Sequence, residues 1–513
     1  MWQALRWPYG CIGTGSAASS DPVRKTRRTR SLSSVYEPAS FRDPSARVFR
    51  HNGGVYRALS ARALADWSAL SAAPFLQRFM DDGRIVRTVQ DDAATSFLPE
   101  SDGRWPAVLR HDSIPVISYP YEWPFGMLQD AALLQLDVLL AALSDGFVLK
   151  DGTPYNVQFV GSRPTFIDIA SITKLVPGSP WEGYRQFCEL CLYPLLLQAY
   201  KDIDFHPWLR GRLDGIPPEQ VRAIFGIRDL RRAGVLTHVV LQAALTRKAA
   251  GADRNVKREL RQAGFSAALV AANAQGLRKL VAGLRWGRTS STWSDYTTTH
   301  SYEAPDMTAK MDFVRDAVRD RPRDIVWDLG SNTGNFSRIA AEHARYVVAV
   351  DADQLSVERM YQSLKATGPA NILPLVGNVA DPSPGLGWLG RERQSLPERS
   401  RPSLVLCLAL VHHVALSANV PLGEFIGWLA TLGADVVIEF VSKEDAMSRR
   451  LLQNKEDVFP DYTQPVFEAH LERRFTVARR QVLGDGTRTL YYARQSAASG
   501  SVPAHEVGRT PKP

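Results

Sequence analysis

The sequence predicts an α/β chain: an α+β half comes first, followed by a carboxyl-terminal parallel sheet flanked by helices and finished by an antiparallel hairpin. Three observations predict it. From residue 325 onward, short apolar runs alternate with stretches of helical spacing, the pattern of strands buried on both faces by crossover helices. The first of these runs leads into a glycine-bearing turn, Gly330-Ser331-Asn332-Thr333-Gly334, and the second ends on an acid, Asp351. A composition shift at residues 285–300, where Ser and Thr gather around Trp293, Asp295 and Tyr296, separates this region from what precedes it.

At 513 residues the chain is long enough for about two to four domains, and 45% apolar with 22% charged residues supplies a core while excluding disorder throughout. The net charge is +9, but residues 1–50 hold nine basic side chains against Asp21, Glu37 and Asp43. The excess therefore sits mainly in a Ser/Gly/Pro-rich amino-terminal arm of the solvated kind, and nucleic acid is not expected as a partner. Residues 131–143 are the most apolar run, broken by Gln135 and Asp137, so no membrane span is expected. The first twenty residues lack the continuous apolar segment of a cleaved signal, and cytoplasm is the expected compartment. Four cysteines are too few for a disulfide framework. Cys188 and Cys191 form a CxxC within an apolar helical run without a second Cys/His pair, so buried packing is expected there rather than zinc.

Residues 48–50 and 55–57 flank the turn-like His51-Asn52-Gly53-Gly54 and read as a hairpin, and residues 115–118 as a further short strand. Met127, Leu128, Ala131, Leu134, Leu136, Leu139 and Leu143 follow helical spacing until Gly146 ends it. A helical region is expected over residues 181–284, with a buried helix at 184–200, and a short amphipathic helix over 306–320. Strands are then expected at 325–327, 346–350, 372–376, 404–410 and 436–440, with helices starting at Asn335, Gln354 and Leu422. The last pair, 475–482 and 489–494, joins across Gly484-Asp485-Gly486 as an edge hairpin.

The turn carries the chemistry. Gly330 can take a backbone conformation closed to other residues, Gly334 lets a helix start close to ligand and sheet, and a carboxylate at Asp351 can accept both hydroxyls of a ribose. The spacing is neither GxGxxG nor GxxxxGK[ST], so a nicotinamide or ATP site by motif does not follow. The form Asp328-Leu329-Gly330-x-x-x-Gly334 after a strand, followed by a strand ending in an acid, resembles the Rossmann-like class I S-adenosylmethionine-dependent methyltransferases over about residues 306–494. The resemblance implies S-adenosyl-L-methionine as cofactor. It assigns the methionine part to Asp328, Gly330 and Gly334, the ribose to Asp351, and the adenine end to Asn378, where the family carries an acid, and Asn332 within the same turn is a further cofactor-binding candidate. His412 and His413 after the fourth strand and Glu439 on the fifth are the candidates for a base, with a structural hydrogen-bonding role open for either histidine and a solvated or cofactor-site role open for Glu439. Residues 381–402 exceed a simple connection, and either cap an acceptor or form a surface excursion. The stretches 293–296, 327–338, 410–414 and 437–445 are also similar to the host-specificity nodulation-type methyltransferase group, which does not define the acceptor. A small molecule or glycan-type metabolite is expected in preference to nucleic acid.

Upstream, Val148-Leu149-Lys150-Asp151-Gly152-Thr153-Pro154-Tyr155-Asn156-Val157, then Phe166-Ile167-Asp168, resembles the catalytic and metal-binding segments of protein-kinase-like phosphotransferases. That resemblance implies Asp151 orienting an acceptor hydroxyl, with Asn156 and Asp168 on magnesium. No glycine-rich phosphate loop or paired strand lysine accompanies it, so no metal is otherwise expected. Three readings stay open: phosphotransfer with a regulatory cofactor-binding domain, a degenerate kinase-like or cofactor-sensing scaffold, and an ordinary loop with Asp and Asn as turn residues. The expected division is a disordered basic tail (1–45), an α+β kinase-like domain (46–215), a helical connector (216–290), the cofactor-binding domain (291–495) and a disordered tail (496–513).

Overall fold

The computed structural model describes residues 34–100, 103–250, 266–291, 304–453 and 456–496. Trp293, Asp295, Tyr296 and most of both expected tails lie outside the described residues.

The first half opens with a five-stranded antiparallel sheet of order β1-β2-β3-β5-β4, made of β1 (Val35–Tyr36), β2 (Ala46–His51), β3 (Gly54–Leu59), β4 (Thr88–Gln90) and β5 (Ala107–His111). The expected hairpin is β2–β3, with Asn52 (φ 50°) and Gly53 (φ 79°) in the two left-handed turn positions that match strand twist. The chain joins this sheet before residue 45, where the tail was expected to end. Val35 and Tyr36 pair with Arg50 and Phe49, the Tyr36 ring meets Phe49 edge-on at 6.4 Å, and the Arg47 guanidinium lies 4.3 Å over Tyr36. Residues 115–118 are not a strand: Pro115 has no N–H to give, and the Ser118 N–H is taken by the Gln158 side chain at 2.8 Å.

Helix α1 (Phe125–Ser144) is long and apolar enough by composition to cross a bilayer, yet most of it is buried inside the protein, where it forms the central helix of this half. Below it run β6 (Phe147–Leu149), β7 (Val157–Val160), β8 (Arg163–Phe166) and β9 (Ile172–Lys174) in two short antiparallel pairs. Cys188 and Cys191 are buried in a helical run, and burial pushes both thiols up, Cys188 to about 12, so they pack as small apolar groups.

The second half is built on a seven-stranded, mostly parallel Rossmann-like sheet. Its strands are β10 (Arg323–Leu329), β11 (Ala344–Asp351), β12 (Ile372–Val376), β13 (Leu404–Cys407), β14 (Asp435–Val441), β15 (Phe475–Leu483) and β16 (Arg488–Gln495), in the order β12-β11-β10-β13-β14-β16-β15. Strands β10 to β14 are parallel, and β16 runs antiparallel to both β14 and β15, which makes the expected edge hairpin. The parallel strands are buried along nearly their whole length, the reason they read as continuous apolar runs. Helix α2 (Ala304–Arg319) precedes the sheet, and α3 (Asn335–Ala341) and α4 (Gln354–Thr367) follow β10 and β11.

The two halves share one hydrophobic cluster, which contains Trp123 and Leu139 from the first and Trp327 and Tyr361 from the second. Polar contacts lock the seam. The Gly161 N–H donates to the Tyr346 hydroxyl (2.9 Å), the Gly126 N–H to Glu358 (2.7 Å), and Asp130 accepts from both Tyr361 and Lys365. Gly161 is required there, because a Cβ would stand 2.0 Å from the Ala370 carbonyl oxygen. Residues 381–402 dock on the first half: the Gln394 N–H donates to Tyr119, Arg399 pairs with Glu122 and the Ile117 carbonyl, and Arg210 binds Asp381 at 3.0 Å.

Candidate cofactor and methyl-transfer site

At the carboxyl ends of β10, β11, β12 and β13 the chain leaves the sheet around a cavity of about 420 Å³, where open α/β sheets hold ligands. The turn after β10 is built by backbone. Gly330 (φ 76°), Asn332 (φ 50°) and Gly334 (φ 86°) are all left-handed, and the N–H groups of Gly330 and Ser331 donate to the Val350 carbonyl at 2.8 and 3.1 Å. Gly334 also starts α3 against α4, where a Cβ would meet the Met360 sulfur at 2.9 Å.

Asp351 ties the loops together. One carboxylate oxygen accepts the Asn332 N–H at 2.8 Å, the other accepts the Asp353 N–H at 2.8 Å, and its carbonyl accepts the Gly377 N–H at 2.9 Å. Burial pushes its carboxyl up to about 6 despite those N–H groups, which favour the charged form. Asn378 turns the chain after β12 by accepting the Ala380 N–H on its side-chain oxygen at 2.9 Å.

Gly330, Asn332, Asp351 and Asn378 line the cavity together, whereas Asp328 and Gly334 do not. Asp328 is buried, accepts the Ser337 hydroxyl at 2.6 Å and is pushed up to about 6 by burial, so it fixes the first turn of α3.

The three candidate bases also separate. His413 lines the cavity, and burial followed by the Arg488 charge pushes its imidazole down to about 4, which leaves it neutral at neutral pH and a weaker base than an ordinary histidine. His412 is fully buried beside it, ring centroids 4.1 Å apart, and burial pushes it well down. Glu439 does not line the cavity. It is fully buried, receives Lys310 Nζ at 2.6 Å and the Ala409 N–H at 2.7 Å, and faces Arg488, which is itself bidentate on Asp445.

Sequence reasoning missed the opposite wall. Met307 and Lys310 of α2 and Phe336 of α3 complete the cavity, with the Lys310 ammonium 5.1 Å over the Phe336 ring. The available signal was a lysine on the apolar face of an amphipathic helix, one turn before Phe313 and Val314, a place where an unpaired charge is costly.

In the first half, the Asp168 carboxylate is bound by Arg57 of β3 at 2.8 Å, and burial first, then Asp168, push Asp151 up. Among the described residues no group of three or more His, Cys, Asp or Glu side chains is arranged to hold a metal ion.

No family model matches the chain. The nodulation protein NoeA of Rhizobium meliloti (strain 1021) is 36% identical to it over 463 residues, 88% of this chain and 94% of that protein. Among solved structures, the N-methyltransferase NodS from Bradyrhizobium japonicum WM9 in complex with S-adenosyl-L-homocysteine is 12% identical, covering 40% of this chain and 99% of NodS with a TM-score of 0.28. Magnesium protoporphyrin IX methyltransferase (ChlM) from Synechocystis PCC 6803 with bound S-adenosylhomocysteine is 18% identical, covering 41% and 90%, with a TM-score of 0.27. The chain belongs to the family of the nodulation protein NoeA.

Proposed function

Starting from that membership, we propose that the chain is an S-adenosylmethionine-dependent methyltransferase whose cofactor lies in the cavity at the ends of β10 to β13. The observation that carries this reading is the convergence of Gly330, Asn332, Asp351 and Asn378, residues from three separate loops, on one cavity. The donor set fits the cofactor. A carboxylate held by two backbone N–H groups keeps lone pairs for two ribose hydroxyls, and left-handed glycine gives the close backbone approach that the methionine end needs.

When bound, the cofactor supplies an electrophilic methyl group on a sulfonium. The protein's part is mostly placement: Asp351 fixes the ribose, Asn378 borders the adenine end, and Phe336 with Leu410 and Val414 keeps water from the reacting atoms. His413, neutral at the cavity wall, is placed to accept a hydrogen bond from an acceptor hydroxyl or neutral amine and to orient the attacking lone pair; its lowered basicity makes it a positioning group more than a proton acceptor. A small molecule or glycan-type metabolite is the preferred acceptor, since the basic excess lies mainly in the first 50 residues and leaves the rest nearly balanced. The test is calorimetric titration of S-adenosylhomocysteine into the wild type and a folded Asp351→Ala variant. The proposal expects binding that the substitution strongly weakens, and absence of binding to the folded wild type would sink it.

A further inference from the structure

Ala409 is an alanine in the left-handed region, φ 50°, at a bend that lines the cofactor cavity where β13 ends. L-residues with a Cβ avoid that conformation, so something must hold it. The holding group is a fully buried carboxylate on the neighbouring strand: Glu439 of β14 accepts the Ala409 N–H at 2.7 Å. The same oxygen accepts Lys310 Nζ at 2.6 Å, and Arg488, anchored by two hydrogen bonds to Asp445, faces the other oxygen at 3.5 Å. Opposite charges on both sides leave the carboxylate little freedom to turn.

We infer that Glu439 is a positioning residue that acts through Ala409: it keeps the bend after β13 left-handed, and the bend in turn shapes the cavity wall formed by Leu408, Ala409 and Leu410. The inference rests on the cofactor reading above. It also explains why an acid on a central buried strand need not touch the reacting atoms.

The test separates the hydrogen-bond acceptor from the charge. In the full chain, Lys310→Met removes the ammonium so that no orphan charge remains, and Glu439 is replaced by Gln, which keeps an oxygen for the Ala409 N–H, or by Leu, which does not. Calorimetry with S-adenosylhomocysteine reads the wall, and thermal melting confirms folding. The Leu variant is expected to bind about tenfold more weakly than the Gln variant, the order of penalty for left-handed alanine. Adding Ala409→Gly to the Leu variant, which allows left-handed backbone without help, is expected to return affinity to within about threefold of the Gln variant. Equal binding by the Gln and Leu variants, or no recovery with glycine, overturns the role of Glu439. Failure of the wild type to bind would instead overturn the cofactor reading.

Discussion

Replacing Asp351 by Asn alters the proposed cofactor site with the least change in shape. The carboxylate offers about four acceptor positions, of which two hold the N–H groups of Asn332 and Asp353. An amide has one oxygen, and its NH₂ would face one of those donors. Because the remaining amide oxygen can still accept one hydroxyl, the variant loses one charge-assisted bond, about 1.5–3 kcal/mol, so affinity for S-adenosylhomocysteine at pH 7.5 should fall roughly 10- to 150-fold. The pH dependence carries a second signature. Because the Asp351 carboxyl is raised to about 6, the wild type should lose affinity as pH falls through 6, approaching about tenfold per pH unit below it, while the Asn variant stays flat. Calorimetry between pH 7.5 and 5 measures both, with melting curves as the folding control. A folded Asn variant within about threefold of wild type at pH 7.5, or a wild type whose affinity ignores pH, would refute the ribose role of Asp351.

Asp328 should make the protein less stable at neutral than at acidic pH. Its carboxyl is raised to about 6 from 3.8, so its contribution is fully present below about pH 4 and is lost as pH rises through 6, at most about 3 kcal/mol. Urea unfolding of Asp328→Asn from pH 4.5 to 7.5 should therefore show a shallower fall than wild type, and an unchanged slope would contradict the assignment. Gly334→Ala should cost about 1–3 kcal/mol, since it adds a Cβ to left-handed backbone 2.9 Å from the Met360 sulfur; an unaltered melting temperature would show that the turn tolerates side chains.

Legibility followed burial. Strands β10 to β14 are covered on both faces, so Ile325-Val326-Trp327 and Val436-Val437-Ile438 announce themselves as apolar runs. In the sheet of the first half the sequence signalled the β2–β3 hairpin through its turn, but not the other strands. β4 has three residues and β5 reads Ala-Val-Leu-Arg-His, so its pairing with β3 comes from tertiary contacts that no local pattern encodes. The strand expected at 404–410 stops at Cys407 because Ala409 turns left-handed, its N–H donating to Glu439 on a strand thirty residues on. The same distance effect hid Lys310: its partner Glu439 lies 129 residues away, and only the folded sheet brings them to 2.6 Å. The glycine turn and Asp351 were legible because a left-handed turn after a strand and an acid at the end of the next strand stand at fixed offsets in sequence.

Where the cofactor sits is read most directly by hydrogen–deuterium exchange of the full chain with and without saturating S-adenosylhomocysteine. The account predicts slowed exchange at the amides of residues 330–335, 351–353, 377–380 and 408–414, with no comparable change at 151–168. Protection confined to residues 151–168, or protection nowhere under conditions that saturate a bona fide methyltransferase, would contradict it.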